Sequence, residues 1–597
     1  MSNGQPHIYD VLVNQATGSR IGIVGSPSST AEIVIDILQI SEQSRILGQL
    51  VYLVVPQEGC YLAVLGQISQ VETKNRWHED LVFRGIIKRR GELPHLSDRA
   101  DVRTATIAVQ AAFQFDPNDD NQLVTEGVLA VSPSTGIAVH RVRNEVLDIL
   151  LHRHSDHIIY LGKVYGTDVN MPFWLKHFDS GEGGAGEAYH IGVFGRTGSG
   201  KSGLAAYLLL GYARHRQMGI LFIDPQGQFS ADRDLPFKLH DTLQREYKRQ
   251  VEIFGLNRGV RFSHQPALFA KLLQRMDFYR HIGVRSSSNK DYAEEIVAAR
   301  VKSILKEFEC ELSNPPEGLL LHVLTALRND EVALNSIYSD KTARKRLEDT
   351  LDRVINNQDD LDELTQYWQP ILDLFMDEDS RGNRRTSLDA IIGGVSGEAD
   401  GDRPIIFLDI SGRGTQFSDD DGMKALILRE ITRTLAWQGE QAFRNNRKSN
   451  CLVAVDEAHR FARSISSRGE DDEAQKLSDS FVRGVRETRK YGLGYLFITQ
   501  SLASLHPEIL GQLRIKYFGH GLNMGQELEK LKEEVGGDKN AVSLYTSFAD
   551  PASATTRQFP FMVTGPASPL SFTGSPLFFQ SFTDFFGQFI PANEREG

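Results

Sequence analysis

Cysteine is scarce: Cys60, Cys310 and Cys451 stand far apart in a chain of 597 residues, and no two form a CxxC pair. That spacing excludes a disulfide framework or a thiolate-built structural zinc site and leaves buried thiols as the expected state. Long apolar runs are missing too, none approaching the roughly eighteen residues that a membrane helix needs. The opening residues, MSNGQPHIYDVLVNQ, lack the basic stretch and apolar run of a secretory signal. These absences predict a cytoplasmic protein that makes no membrane contact. Positive charge is not in excess either: 66 Lys and Arg against 78 Asp and Glu give a net charge of −12. This balance excludes a protein that coats nucleic acid with a generally basic surface, although positive charge confined to a channel remains compatible with it.

What is present is an ordinary globular composition, 40% hydrophobic and 24% charged. A single core stops growing near about 250–300 residues, so the length predicts two to four domains. Residues 1–165 read as β-rich: short runs such as SRIGIVG, AEIVIDIL and TATIAVQAAFQF alternate with turn-forming SPSS, PQEG and DPNDDN. Short strands and turns at this density predict a small N-terminal β-barrel or sandwich.

From His190 the pattern changes to strands alternating with helices. Five apolar runs, IGVFG, GILFID, PIIFLDIS, CLVAVDE and GYLFITQS, have the continuous hydrophobicity of buried parallel strands. We therefore expect an α/β fold with an ATPase-type core at 166–230 and 401–560. Residues 231–400 carry apolar positions at three- and four-residue spacing and read as an inserted helical bundle. The Phe-rich segment 561–597 is expected to brace its own domain or a neighbouring subunit, since aromatic side chains at that density do not hang free in water. No internal repeat is evident.

The chemistry starts at Gly195-Arg-Thr-Gly-Ser-Gly-Lys201-Ser202, a G-x-x-x-x-G-K-S loop with an apolar strand before it and a helical pattern after it. Main-chain N–H groups of Gly195, Thr197, Gly198, Ser199 and Gly200 are expected to cradle phosphates at a helix N-terminus. Lys201 bridges β- and γ-phosphates in this arrangement, and Ser202 ligates Mg²⁺. Hydrolysis needs a second metal contact and a base, and CLVAVDEAH supplies Asp456 for Mg²⁺ and Glu457 for water. Gln500, at the end of YLFITQ, is placed to sense the γ-phosphate. Asp224, at the end of GILFID, either supports the metal shell, orients Glu457 or caps its own loop. Arg483, Arg486 and Arg489 share a helix face and either reach a phosphate across a subunit interface or form surface ion pairs. His459 reads as a surface residue. The segment SISSRGEDDEAQK reads either as a pore loop or as a solvated surface loop.

With these residues in place, the chain resembles the HerA family within the FtsK–HerA branch of P-loop ATPases. The resemblance rests on HIGVFGRTGSGKS, IDPQG, CLVAVDEAHRF, RETRKYGLG leading to FITQS, and an N-terminal region similar to the HAS-barrel. It implies a RecA-like core, MgATP as substrate, a homohexameric ring with an arginine finger from the neighbour, and double-stranded DNA in the pore. It also implies an effector partner, a nuclease or a sirtuin-like NADase, in DNA end processing or anti-phage defence. Gln226 and Gln228 replace the His and Glu usual in the family's D-P-H-G-E, and Tyr189 replaces a frequent Arg. Three function classes follow: an ATP-driven DNA translocase, a ring scaffold that positions an effector, and an ATPase of the secretion or conjugation branch. The lack of a membrane segment weakens the third.

Overall fold

The computed structural model describes residues 8–90, 100–118, 123–257, 259–263, 265–397, 401–414, 420–462, 472–553 and 555–594. Most of the segment weighed as a pore loop, 464–476, lies outside them.

The N-terminal β-rich region folds into a closed antiparallel barrel. Glu32–Ile37 pairs with Arg20–Val24, then Ala138–Arg141, Leu50–Gln57, Cys60–Asn75 and Asp101–Phe115 follow, and the last closes back onto Glu32–Ile37. Val124–Glu126 adds to the outside of the final strand. Alternation drives closure: Ile33 and Ile35 of EIVIDI point inward and are fully buried with Val51, Leu53, Val64 and Ile107. Closing the sheet also removes the exposed edges that a six-stranded ribbon would carry.

The second sheet has eleven strands and forms the α/β core. Its parallel part runs Val251–Gly255, Ile405–Asp409, Gly219–Asp224, Cys451–Val455, Leu493–Thr499, His190–Phe194 and Leu513–Gly519. The five apolar runs of the sequence all lie here, buried on both faces. Four antiparallel strands extend it: Phe559–Thr564, Leu577–Ser581, Ile158–Val164 and Asn170–Trp174.

Three segments sit differently from their sequence grouping. Ile158–Val164, grouped with the barrel, hydrogen-bonds to Leu577–Ser581 of the large sheet. Val251–Gly255, inside the segment read as purely helical, forms the edge strand beside Ile405–Asp409. Leu388–Ser396 belongs to the crossover that covers the sheet, with Val395 packed directly on Gly219. Short strands are hard to separate from buried helix by periodicity, which accounts for the second case.

The inserted helices, chiefly Pro266–Arg275, Ser287–Glu307, Leu319–Arg328, Lys341–Asn356 and Gln358–Leu372, share one apolar core with a face of the sheet. The Phe-rich tail packs on its own chain: Phe585 stacks on Phe237 at 4.6 Å, and Phe589 on Tyr207 at 5.0 Å. Barrel and core are joined through two buried amides. Gln67 bonds the backbone of Phe578 in both directions, at 2.7 and 2.8 Å, and Gln110 donates to Pro576 O at 2.8 Å. The buried Gln67 amide bonds through both its oxygen and its nitrogen and is thereby locked in one orientation, since leaving either end unpaired costs about 1–3 kcal/mol. Among the described residues, no helix is long and apolar enough to cross a membrane.

Candidate nucleotide site

The site forms where the parallel strands end. Strand order decides its composition, because Leu493–Thr499 lies between the P-loop strand His190–Phe194 and the strand Cys451–Val455. Gln500 therefore stands between the phosphate loop and the acidic pair. Ligands of open parallel sheets bind at this carboxyl edge.

The loop 195–200 leads into helix Lys201–Ala213, which is buried almost all round and so has its N-terminus fixed. Gly200 takes φ +90°, and a Cβ there would meet the Phe559 ring at 2.6 Å. Only glycine satisfies both conditions. Ser199 Oγ is buried with no partner among the described residues. Lys201 Nζ donates to Arg196 O at 3.0 Å; burial lowers its pKa, and Glu457 and Asp456 oppose the shift.

A continuous chain of hydrogen bonds crosses the site. Thr197 Oγ1 donates to Gln500 Oε1 at 2.9 Å, and Gln500 Nε2 donates to Glu457 Oε1 at 2.7 Å. The other carboxylate oxygen of Glu457 lies 3.2 Å from His459 Nδ1. Glu457 itself sits at φ +50°, a strained conformation for a residue with a side chain. Beside it, burial, then the Glu457 and Asp224 carboxylates, push Asp456 up to about 7. A divalent cation relieves that repulsion, and Ser202 supplies a hydroxyl nearby, so the donor set fits Mg²⁺.

Lys201, Ser202, Thr197, Asp456, Glu457 and Gln500 line one cavity of about 640 Å³. A larger cavity, about 950 Å³, lies at Asn144–Tyr160 and Asn593; it holds Asp148, Asp156 and Glu594 and no phosphate-binding loop.

Asp224 has a different place from two of the three weighed for it. Its Oδ1 accepts from the N–H groups of Gln226, Gly227 and Gln228, and its Oδ2 from Ser230 N. The carboxylate caps its own loop and makes no hydrogen bond to Glu457. That capped loop carries Gln228, whose Oε1 accepts from Ser202 Oγ at 3.3 Å. Arg486 and Arg489 do not line the cavity; they pair on the surface with Glu508 and Glu187. Arg483 is exposed beside them. Tyr189 is buried, its hydroxyl 2.8 Å from that of Tyr212, and burial pushes its pKa up to about 12.

His459, read as a surface residue, proves to be half-buried against Glu457. The signal was its position two residues after the base. Gln228, noted in the sequence only as a departure from D-P-H-G-E, also lines the cavity, as do Arg557 and Phe559, which nothing local in the sequence marked.

Comparison with known proteins agrees with this geometry. The family model described as "Helicase HerA, central domain" matches residues 188–389. That span includes the P-loop, the Asp224 strand and most of the helical insertion; Asp456, Glu457 and Gln500 lie beyond it and are tied to it through the sheet. Comparison with curated proteins returns no significant match. Among solved structures, VirB4 of Thermoanaerobacter pseudethanolicus aligns at 15% identity over 71% of this chain and 96% of that one, with a TM-score of 0.38. A bacterial conjugative coupling protein, TrwBΔN70, aligns at 12% identity over 66% and 85%, with a TM-score of 0.36. The genome packaging NTPase B204 from Sulfolobus turreted icosahedral virus 2 aligns at 8% over 66% and 98%, with a TM-score of 0.28. Scores of this size carry no argument about function. The family match covers the P-loop that carries the resemblance: residues 188–389 of this chain are similar to the central domain of helicase HerA.

Proposed function

We propose that this chain is an ATP-driven translocase of double-stranded DNA that works as a homohexamer with a separate effector protein. The observation that supports it best is the bonded path Thr197–Gln500–Glu457, which couples the phosphate loop to the candidate base through the intervening strand. A binding scaffold has no need of a carboxylate held in a strained conformation beside the phosphate site.

In this reading the amides of 195–200 hold the β- and γ-phosphates, and Lys201 moves from the Arg196 carbonyl onto them. Glu457 accepts a proton from the attacking water, while Gln500 senses whether a γ-phosphate is present. Ser202 and Asp456 hold Mg²⁺, which when bound neutralises phosphate charge. Arg486 and Arg489, exposed and paired only on the surface, exchange those partners for a neighbour's nucleotide. Surface pairs are worth little, so the exchange costs little.

The barrel is the docking collar for the effector, a nuclease or sirtuin-like NADase. Ile40, Val128 and Val131 are exposed on it, and six copies present a multivalent platform. The deciding measurement is ATP turnover with and without linear duplex DNA. Stimulation of about tenfold or more is expected; turnover indifferent to DNA would favour the ring scaffold.

A further inference from the structure

The cavity at the P-loop, about 640 Å³, is lined by more than the phosphate loop and the acidic pair. Asp456, Glu457 and Gln500 follow strands on one side of the P-loop strand in the sheet, whereas Phe559 opens a strand on the other side, and Pro551, Ala552, Arg557 and Thr583 of the C-terminal part of the chain line the cavity with it. A P-loop fixes the direction of its ligand: the lysine reaches β- and γ-phosphates, and the α-phosphate, with the nucleoside beyond it, lies on the side away from the γ-phosphate. The γ end therefore faces Glu457. The ribose and base must then occupy the end walled by the C-terminal segment.

That wall has suitable chemistry. Phe559 lies across the P-loop at Gly200 and is only partly buried. Arg557 precedes it by two residues, just ahead of the strand Phe559–Thr564, and lines the same cavity. Arg557 is exposed and makes no ion pair or hydrogen bond among the described residues. The wall is held firmly, because Phe559–Thr564 pairs on one side with Leu513–Gly519, next to the P-loop strand, and on the other with Leu577–Ser581. An aromatic face and a planar cation at the base end match the π-face of a nucleobase.

We propose that Phe559 and Arg557 form the base subsite of the nucleotide site, Phe559 by stacking and Arg557 by covering the base from solvent, and that they favour purine over pyrimidine nucleotides. A purine offers the larger stacking surface. The proposal rests on the NTPase reading of the same cavity.

The test uses the full-length protein and calorimetric titration with MgATP, MgCTP and Mg-tripolyphosphate, the last having phosphates and no base. Phe559→Ala is expected to weaken ATP by about tenfold, in line with the loss of one stacking contact. Tripolyphosphate should change by less than about twofold, and Phe559→Tyr should retain ATP affinity. Arg557→Ala, on the surface and harmless to folding, should also weaken ATP selectively and narrow the preference for ATP over CTP. Equal losses on ATP and tripolyphosphate, or undiminished ATP binding in both variants, would overturn the base subsite. A wild-type protein that binds neither ligand would instead overturn the NTPase reading itself.

Discussion

The residue whose setting says most is Glu457. It is buried, held at positive φ, and bonded through one oxygen to Gln500 with His459 close to the other. Such strain persists only where the surroundings over-determine it, and burial together with the bond from Gln500 constrains Glu457 here. Replacing the carboxylate by its amide keeps shape and removes basicity. Glu457→Gln is therefore expected to bind MgATP normally and to turn it over at least ~100-fold more slowly. Lys201→Ala should instead lose nucleotide binding, as read by titration. Unchanged turnover in the Glu457→Gln protein would remove Glu457 from the chemistry. His459 packs against the other carboxylate oxygen, and its substitution should lower turnover without abolishing binding.

At the scale of elements, the P-loop strand is anchored by His190. Its Nε2–H donates to Val485 O at 2.8 Å, at the end of helix Asp472–Glu487, and its Nδ1 accepts from Tyr495 N at 3.1 Å. This arrangement requires a neutral ring, because a proton on Nδ1 would face the Tyr495 N–H. Burial lowers the His190 pKa to about 4, against 6.5 for the free side chain. A folded pKa below the unfolded one means that acid favours unfolding. The contribution is intact above pH 6.5 and is lost as pH falls towards 4, by about 1.4 kcal/mol per unit. His215, also lowered to about 4, adds the same trend. Urea titrations of wild type and His190→Leu should show a stability gap that narrows across that window, with the His215 effect cancelling between them. A constant gap would show that His190 titrates normally.

For the whole molecule, the question is whether one chain contains a complete site. The cavity is lined by Glu457, Lys201, Ser202, Asp456 and Gln500, but by no arginine from the Arg483–Arg489 run. An arginine supplied by a neighbour can be worth about 10³–10⁵ in rate. Arg486→Ala or Arg489→Ala subunits, inactive alone, are expected to regain turnover when mixed with inactive Lys201→Ala subunits, because some interfaces then combine an intact loop with an intact arginine. Mixed rings verified by light scattering and still inactive would argue against sites shared between subunits.

The phosphate loop, the acidic pair and Gln500 were legible in the sequence because each is a local pattern. A strand end, a turn and a helix start lie within a few residues, and their chemistry depends on that spacing alone. The barrel was legible for a similar reason, from short alternating runs. What lies far apart in the chain was not. Asp224 looked equally suited to the metal shell and to a cap, and only the folded loop, offering it four backbone N–H groups, decided for the cap. Gln228 meets Ser202, and Phe559 covers Gly200, across 26 and 359 residues of chain. Neither contact leaves a mark in spacing or composition. The sequence by itself determined the glycine-rich loop at a strand end and the carboxylates beside it, since these follow from local backbone geometry. Tertiary structure alone decided what surrounds them, because strand order, with one strand inserted between the loop and its base and a C-terminal hairpin added at the edge, is a property of how the whole sheet pairs.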